Sequence, residues 1–254
     1  MSKSWNRDPL VSLQSYFNVK EFYAAALGGF YFLAIICSAN AQEAKEAKKS
    51  AEALLSLARL RPTDHPVTLS AEIRGGEEPL VLTFKIDEGH IKYQLHDPDE
   101  TIILTLEPTT SVLSEVKDGS RSIISDSKRY QEVRGTGVTY DDLSLSFLYW
   151  PHPRLAGEET LRGISTAIIE LNPPSQSTTP YGSARLWIDP KSGAPIRMEG
   201  WNHQGQLIKR FEVISAQKID RLWMLKEMRI ESLDPATGKV TQRRYLTLHS
   251  NDSR

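Results

Sequence analysis

The amino-acid sequence predicts an α+β fold that is mostly antiparallel β. Apolar and polar residues alternate through residues 66–107, which is the period of half-buried strands. After residue 183 the predicted strands are joined by connections of about two to five residues, typical of hairpins rather than of βαβ crossovers. Only two segments have helical periodicity, residues 42–60 and 139–150. The strands therefore outnumber the helices.

Residues 1–41 predict a secretory signal peptide. Residues 22–37 carry no charge and would span about 24 Å as a helix, less than the roughly 30 Å of a bilayer core. Ser38-Ala39-Asn40-Ala41 follows as an A-x-A site, so we expect cleavage after Ala41. An uncleaved anchor and a lipidated Cys37 remain alternatives. In each case residues 42–254 form a single domain outside the cytoplasm, which we expect in the periplasm.

Composition argues against several function classes. The net charge of −1 provides no basic surface for nucleic acid. Cys37 is the single cysteine, so neither an internal disulfide nor a CxxC zinc site is expected. The sequence contains no G-x-S-x-G, no phosphate loop and no dinucleotide fingerprint. We therefore expect no catalysis, cofactor or metal, although strand-borne carboxylates leave a hydrolase as an open hypothesis.

The first helical segment, residues 42–60, is rich in Ala, Glu, Lys and Leu. Its apolar residues form one stripe that we expect to pack on a sheet, made of Ala47, Ala51, Leu54, Leu55 and Ala58. Alternation then predicts strands over residues 66–74, 80–87, 90–96 and 101–107, with weaker signals at 111–116 and 122–125. Gly, Pro and Asp between these segments are typical turn residues.

The second helical segment, residues 139–150, is apolar on nearly every side. Thr139 and Asp142 predict a capping box at its start, and Leu143, Phe147 and Trp150 repeat at helical spacing. A helix that is apolar all round must be covered on more than one side. It is predicted either to fill the interior as ordinary packing or a plug, or to cover a cavity as a lid.

The C-terminal half predicts further strands and one long loop. Residues 159–171 predict a strand pair, and residues 172–182, which are polar and Pro-rich, predict a surface loop. A five-stranded meander follows, with strands at 185–189, 195–201, 206–219, 222–233 and 239–248.

The meander also carries a family resemblance. Its Trp187-Ile188-Asp189, the Gly193-Ala194-Pro195-Ile196-Arg197 segment, Gly205 to Lys209, Trp223 and Lys226-Glu227-Met228 resemble the bacterial outer-membrane lipoprotein-sorting proteins of the Lol-type carrier superfamily. That resemblance implies an incompletely closed β-barrel, or strongly curved sheet, with helices over its opening and acyl chains bound inside. It implies no individual ligand-contact residue for this chain.

The resulting hypothesis is a periplasmic carrier that shields lipoprotein acyl chains or lipid during transfer to the outer membrane. Its partners would be that cargo and membrane transfer partners, with no nucleic acid, and we expect a monomer. The alternative is a regulatory or sensor module of the same fold that binds a membrane-protein partner. Large or soft side chains on the predicted inner faces are the candidate cavity lining: Leu82, Phe84, Tyr93, Leu95, Leu104, Leu143, Phe147, Trp150, Met198, Met224 and Met228.

Overall fold

One curved antiparallel sheet of thirteen strands forms the body of the protein. The computed structural model describes residues 50–59, 66–87, 89–219 and 222–250, so the predicted signal peptide, residues 42–49 and the reversal at 220–221 lie outside the described residues. The strands are β1 Val67–Arg74, β2 Leu80–Asp87, β3 His90–Leu95, β4 Glu100–Leu106, β5 Ser111–Lys117, β6 Ser120–Ile123, β7 Arg154–Leu161, β8 Ile164–Leu171, β9 Ser183–Ile188, β10 Pro195–Trp201, β11 Leu207–Ile219, β12 Leu222–Leu233 and β13 Val240–Ser250. The predicted antiparallel β class is confirmed.

The strand order is β6-β5-β4-β3-β2-β1-β13-β12-β11-β10-β9-β8-β7. Every neighbouring pair is also adjacent in sequence except β1 and β13, which pair antiparallel in the middle of the sheet. The edges, β6 and β7, do not pair with each other, so the sheet stays open. The chain between these edges, residues 124–153, supplies part of the core that packs on the concave face.

The two faces of the sheet differ in chemistry. Alternate residues of the strands point into one large apolar core on the concave face. On the convex face of β10–β13, three buried glutamates pair with arginines at 2.7–2.9 Å; the pairs are Glu199–Arg210, Glu212–Arg229 and Glu231–Arg243. Because each glutamate has an arginine partner, that face can pack closely without leaving a buried charge unpaired.

Helix α1, Ala51–Ala58, confirms part of the first predicted helix. Ser50 caps it by accepting a hydrogen bond from the Ala53 amide, and Leu54, Leu55 and Ala58 are buried in the core. A second short helix, α2, spans Asp126–Arg129. Among the described residues, no helix combines the length and the apolar character that crossing a bilayer requires.

The prediction of one continuous helix over residues 139–150 is wrong. The structure has a short helix α3, Tyr140–Ser144, followed by a 3-10 turn, Ser146–Tyr149. Leu145 separates them with φ of 53°, in the left-handed region that a leucine adopts only at a cost. We call residues 139–150 the plug because they lie against the concave face of the sheet and belong to its core.

Candidate functional site

The structure brings all eleven predicted cavity residues into one apolar core. Each of them is at most 4% exposed. They come from β2, β3, β4, β10, β12 and the plug, so strands from both halves of the sheet meet over the same space. Phe84 and Tyr93 stack edge to face with ring centroids 5.6 Å apart. The three methionines of the domain all lie here, as expected of soft side chains in an adaptable interior.

Only four of the eleven border a cavity between the sheet and the plug, namely Leu82, Tyr93, Leu95 and Leu143. Its volume is about 10 Å³, roughly the space of a single water molecule. An acyl chain does not fit there in the described conformation. Among the described residues, side chains of the plug pack into the apolar core together with those of the strands.

The first half of the plug is held by buried polar bonds. Thr139 and Asp142 form the predicted capping box, with Asp142 Oδ2 accepting from the Thr139 amide at 2.8 Å and Thr139 Oγ1 accepting from the Asp142 amide at 3.1 Å. Asp142 also accepts a short hydrogen bond from the Tyr181 hydroxyl. Lys209 Nζ on β11 lies 3.8 Å from Asp142 Oδ2 and donates to the Gly137 carbonyl. Asp142 is therefore the centre of a buried polar anchor.

Asp141, next to Asp142 and 2% exposed, has its own partners. It accepts hydrogen bonds from Thr179 Oγ1 at 2.6 Å and from Arg129 Nη1 at 3.3 Å. Burial raises the pKa of its carboxyl to about 6; the Thr179 bond and Arg129 oppose the rise, and the Asp142 charge adds to it. Burial, followed by the Asp142 charge, also raises the pKa of the Tyr181 phenol well above its usual range. Near neutral pH, keeping the buried Asp141 carboxyl ionised therefore costs the folded state free energy.

The second half of the plug is held almost entirely by apolar packing. Phe147, Leu148 and Trp150 are 4%, 2% and 3% exposed and lie in the main core. One polar contact reaches this half from the segment after α1: Arg59 Nε donates to the Leu148 carbonyl at 2.8 Å. The Arg59 guanidinium also lies 5.3 Å from the centre of the Tyr149 ring. The two halves, separated at Leu145, are therefore attached by different physical interactions.

The prediction that residues 172–182 form a surface loop is wrong at two positions. Thr179 and Tyr181 are 2% and 1% exposed, because they reach inward to Asp141 and Asp142. The Tyr181 ring lies directly on Gly200 of β10, where an added Cβ would come within 2.3 Å of the ring. A glycine inside a strand often marks such a close approach, so Gly200 is the sequence signal that could have revealed it.

A larger polar cleft opens beside the small cavity. Its volume is about 580 Å³, and its wall includes Arg134, Gly135 and Arg244. It shares Ile73, Leu80 and Thr136 with the apolar cavity, so the two lie on opposite sides of the same side chains, next to the core. Among the described residues, no cluster of His, Cys, Asp and Glu has the arrangement of a metal site.

Comparison with known proteins places the chain in a family. A family model described as that of an uncharacterized protein matches residues 118–253, more than half of the sequence. The chain belongs to this family. The matched region contains the plug, its polar anchor and strands β7–β13. A search of curated proteins finds no significant match.

Solved structures identify the fold as that of the Lol-type carriers. A putative outer-membrane lipoprotein-sorting protein domain from Vibrio parahaemolyticus matches with a TM-score of 0.58 and 16% identity, covering 84% of this chain and 92% of the other. A LolA superfamily protein from Nitrosomonas europaea gives 0.54 and 15%, covering 84% and 93%. A DUF1329 family protein from Desulfovibrio piger gives 0.51 and 17%, covering 84% and 91%. The predicted Lol-type resemblance is confirmed at the level of the fold.

Proposed function

We propose that this protein is a periplasmic carrier that shields the acyl chains of lipoproteins or lipids on its concave face. The observation behind the proposal is the divided plug. Among the described residues, its second half covers the apolar face mainly through side-chain packing, together with the Arg59 contact. Its first half stays fixed through Asp142. Movement about Leu145 would expose a continuous apolar surface without breaking the polar anchor.

The free energies of burial permit an acyl chain to take the place of the second half of the plug. Exposing Phe147, Leu148 and Trp150 costs about 1.5–3 kcal/mol for each side chain. Burying an acyl chain gains about 0.8 kcal/mol per CH₂, so a chain of about 16 carbons contributes roughly 12 kcal/mol as an upper bound. One acyl chain can therefore replace the second half of the plug, and the difference remains small enough for later release.

Lipid retention tests the proposal. We expect native mass spectrometry of the protein, purified without detergent after expression of the full chain, to detect bound lipid or lipoprotein. Replacing Met228 on β12 with Asp should abolish retention, because a charge would then stand on the apolar sheet face that the displaced plug leaves to the acyl chain. The matched control is Leu155→Asp on the exposed edge strand β7, which should retain lipid. A protein that neither carries lipid nor takes it up on incubation would contradict the carrier function.

Fluorescence supplies a readout that does not depend on whether the Met228 variant folds. Trp150 is 3% exposed in the plug, so its emission should shift to longer wavelength when an acyl chain displaces the second half. The shift should disappear in Trp150→Phe. A shift that persists in that variant would come from Trp187, Trp201 or Trp223 and would remove plug movement from the mechanism.

A regulatory or sensor module that binds a membrane-protein partner is the second candidate. The small cavity between the sheet and the plug favours it, because about 10 Å³ among these described residues leaves no space there for cargo in this conformation. A module of this kind needs only its outer surface. Co-purification of a stoichiometric protein partner with lipid-free protein is the result that would select it over the carrier.

A further inference from the structure

The polar cleft beside the apolar cavity contains a cation without an anionic partner. Arg244 lies on β13 and is half-buried, and among the described residues it makes no ion pair. Its Nη1 donates to the Gly75 carbonyl at 2.6 Å and to the Arg243 carbonyl at 3.3 Å. Its Nη2 has only a long contact of 3.5 Å with the Gly135 carbonyl. Its Nε is buried and has no hydrogen-bond partner among the described residues.

The two poorly satisfied donors lie on one edge of the guanidinium. Nε and Nη2 point in the same direction, and this edge is the fork that binds two oxygens of a carboxylate or phosphate. The other guanidinium of the cleft is already used: Arg134 donates to the carbonyls of His96, Asp97 and Pro98 and lies 3.5 Å from Glu100. Arg244 is therefore the cation of this cleft that is free to recognise an anion.

Gly76 leaves space along the same edge. A Cβ at position 76 would lie 3.7 Å from Arg244 Nε and 3.9 Å from Nη2, at ordinary contact distance. Any side chain there would cover the fork. The absence of a side chain at position 76 thus limits what covers this edge, on which Nε itself is buried.

We propose that Arg244 binds the anionic head group of a single-chain amphiphile whose tail enters the core past Leu80 and Ile73. This rests on the proposed carrier function and specifies its ligand. The tail direction follows from the residues that the cleft shares with the apolar cavity. Glu77 and Glu78 also line the cleft and are exposed, so they disfavour a doubly charged head. The preferred head is a monoanion, such as a phosphodiester or carboxylate.

Calorimetric titration below the micelle concentration tests this site. We expect lysophosphatidylglycerol to bind about tenfold or more tightly than monoacylglycerol with the same chain, because only the former can form charge-assisted bonds to the fork. Arg244→Gln should remove that difference and leave monoacylglycerol binding unchanged. The control Arg243→Gln removes the same charge from the opposite face of β13 and should preserve the difference.

Gly76→Asp is the sharpest variant, because it places a carboxylate of the protein itself against the fork. It should raise the melting temperature and weaken lysophosphatidylglycerol binding to the level of monoacylglycerol. Gly76→Asn should cause a smaller rise in melting temperature and a smaller loss of binding. Unchanged anionic binding in Gly76→Asp would overturn the head-group site. So would tight binding of inorganic phosphate alone, which would indicate a free-anion site.

The outcomes separate this proposal from the carrier function. If both amphiphiles bind with equal affinity to every variant, the carrier function stands and the Arg244 site is wrong. If neither amphiphile binds, the carrier function fails, and the head-group site fails with it.

Discussion

The two halves of the plug have similar length and opposite chemistry. Residues 139–144 are fixed by hydrogen bonds and charges buried against β11 and the 172–182 loop. Residues 146–150 are fixed by apolar side chains. A hydrocarbon ligand can replace apolar contacts but offers nothing to a buried carboxylate. In the proposed carrier, therefore, the second half is the part that a ligand would replace, and the anchored first half would determine where it returns.

The largest expected effect comes from removing the polar anchor. Asp142→Ala leaves Lys209 buried without a carboxylate and removes the acceptor for Tyr181, so it should cost about 3–5 kcal/mol of unfolding free energy. Urea denaturation measures this loss of unfolding free energy. Adding Lys209→Met should recover part of the loss. A loss of unfolding free energy below about 1 kcal/mol would mean that the polar bonds hold the first half of the plug no more firmly than apolar packing holds the second.

Asp141 should make the stability depend on pH. Its pKa is raised by burial to about 6 in the folded protein, against an ordinary value of 3.8. The folded state therefore holds its proton more tightly, so this contribution is complete below about pH 4 and is lost as the pH rises through 6. The loss is about 3 kcal/mol. Denaturation at several pH values should show that the unfolding free energy of the wild type falls as the pH rises from 4 through 6, and that this fall is absent in Asp141→Asn. A wild type whose unfolding free energy does not fall over this range would contradict the buried position of Asp141.

Gly200→Ala should displace Tyr181 from the anchor. The new methyl group would meet the ring at 2.3–2.6 Å, and overpacking of this kind costs about 1–3 kcal/mol. The same change at Gly205, where a Cβ meets nothing within 4 Å but φ is 74°, controls for backbone effects. Amide exchange of α3 should accelerate only in Gly200→Ala, and acceleration in both variants would remove the Tyr181 contact as the cause.

The smallest effect is expected from the caps. Thr139→Ala and Ser50→Ala each remove an N-cap side chain at a cost of about 1 kcal/mol. Only Thr139→Ala should raise the population in which the plug is released, seen as increased Trp150 quenching. Equal quenching in both variants would show that the cap does not hold the plug.

Alternation and turn chemistry were enough to predict most strands of the sheet, because both are local properties of the sequence. The predicted meander matches β9–β13 closely for this reason. Strand β7 is an exception, since it begins at Arg154, before the predicted 159–171 pair, and is exposed along most of its length. The break at Leu145 is different, because its left-handed backbone opposes the local preference for a continuous helix and so has no local signal in the sequence.

The candidate lining residues were predicted from the inner faces of strands, and the structure does place them together. Whether they enclose a cavity could not be predicted, because that depends on the summed volume of side chains from segments far apart in sequence. Arg244 was missed for a related reason: an arginine on a strand is ordinary until its neighbours show that it lacks a carboxylate.

The pairing of β1 with β13 has a consequence for how the chain is completed. Among the described strands, β1 is synthesised first and β13 last, so the centre of the sheet can close only after β13 has been made. Until then, one edge of β1 lacks its partner strand, and strands β1–β6 are not paired with strands β7–β12. A nonsense codon shortly before residue 240 would therefore remove β13 from the centre of the sheet, so that strands β1–β6 and β7–β12 would no longer be joined by backbone pairing.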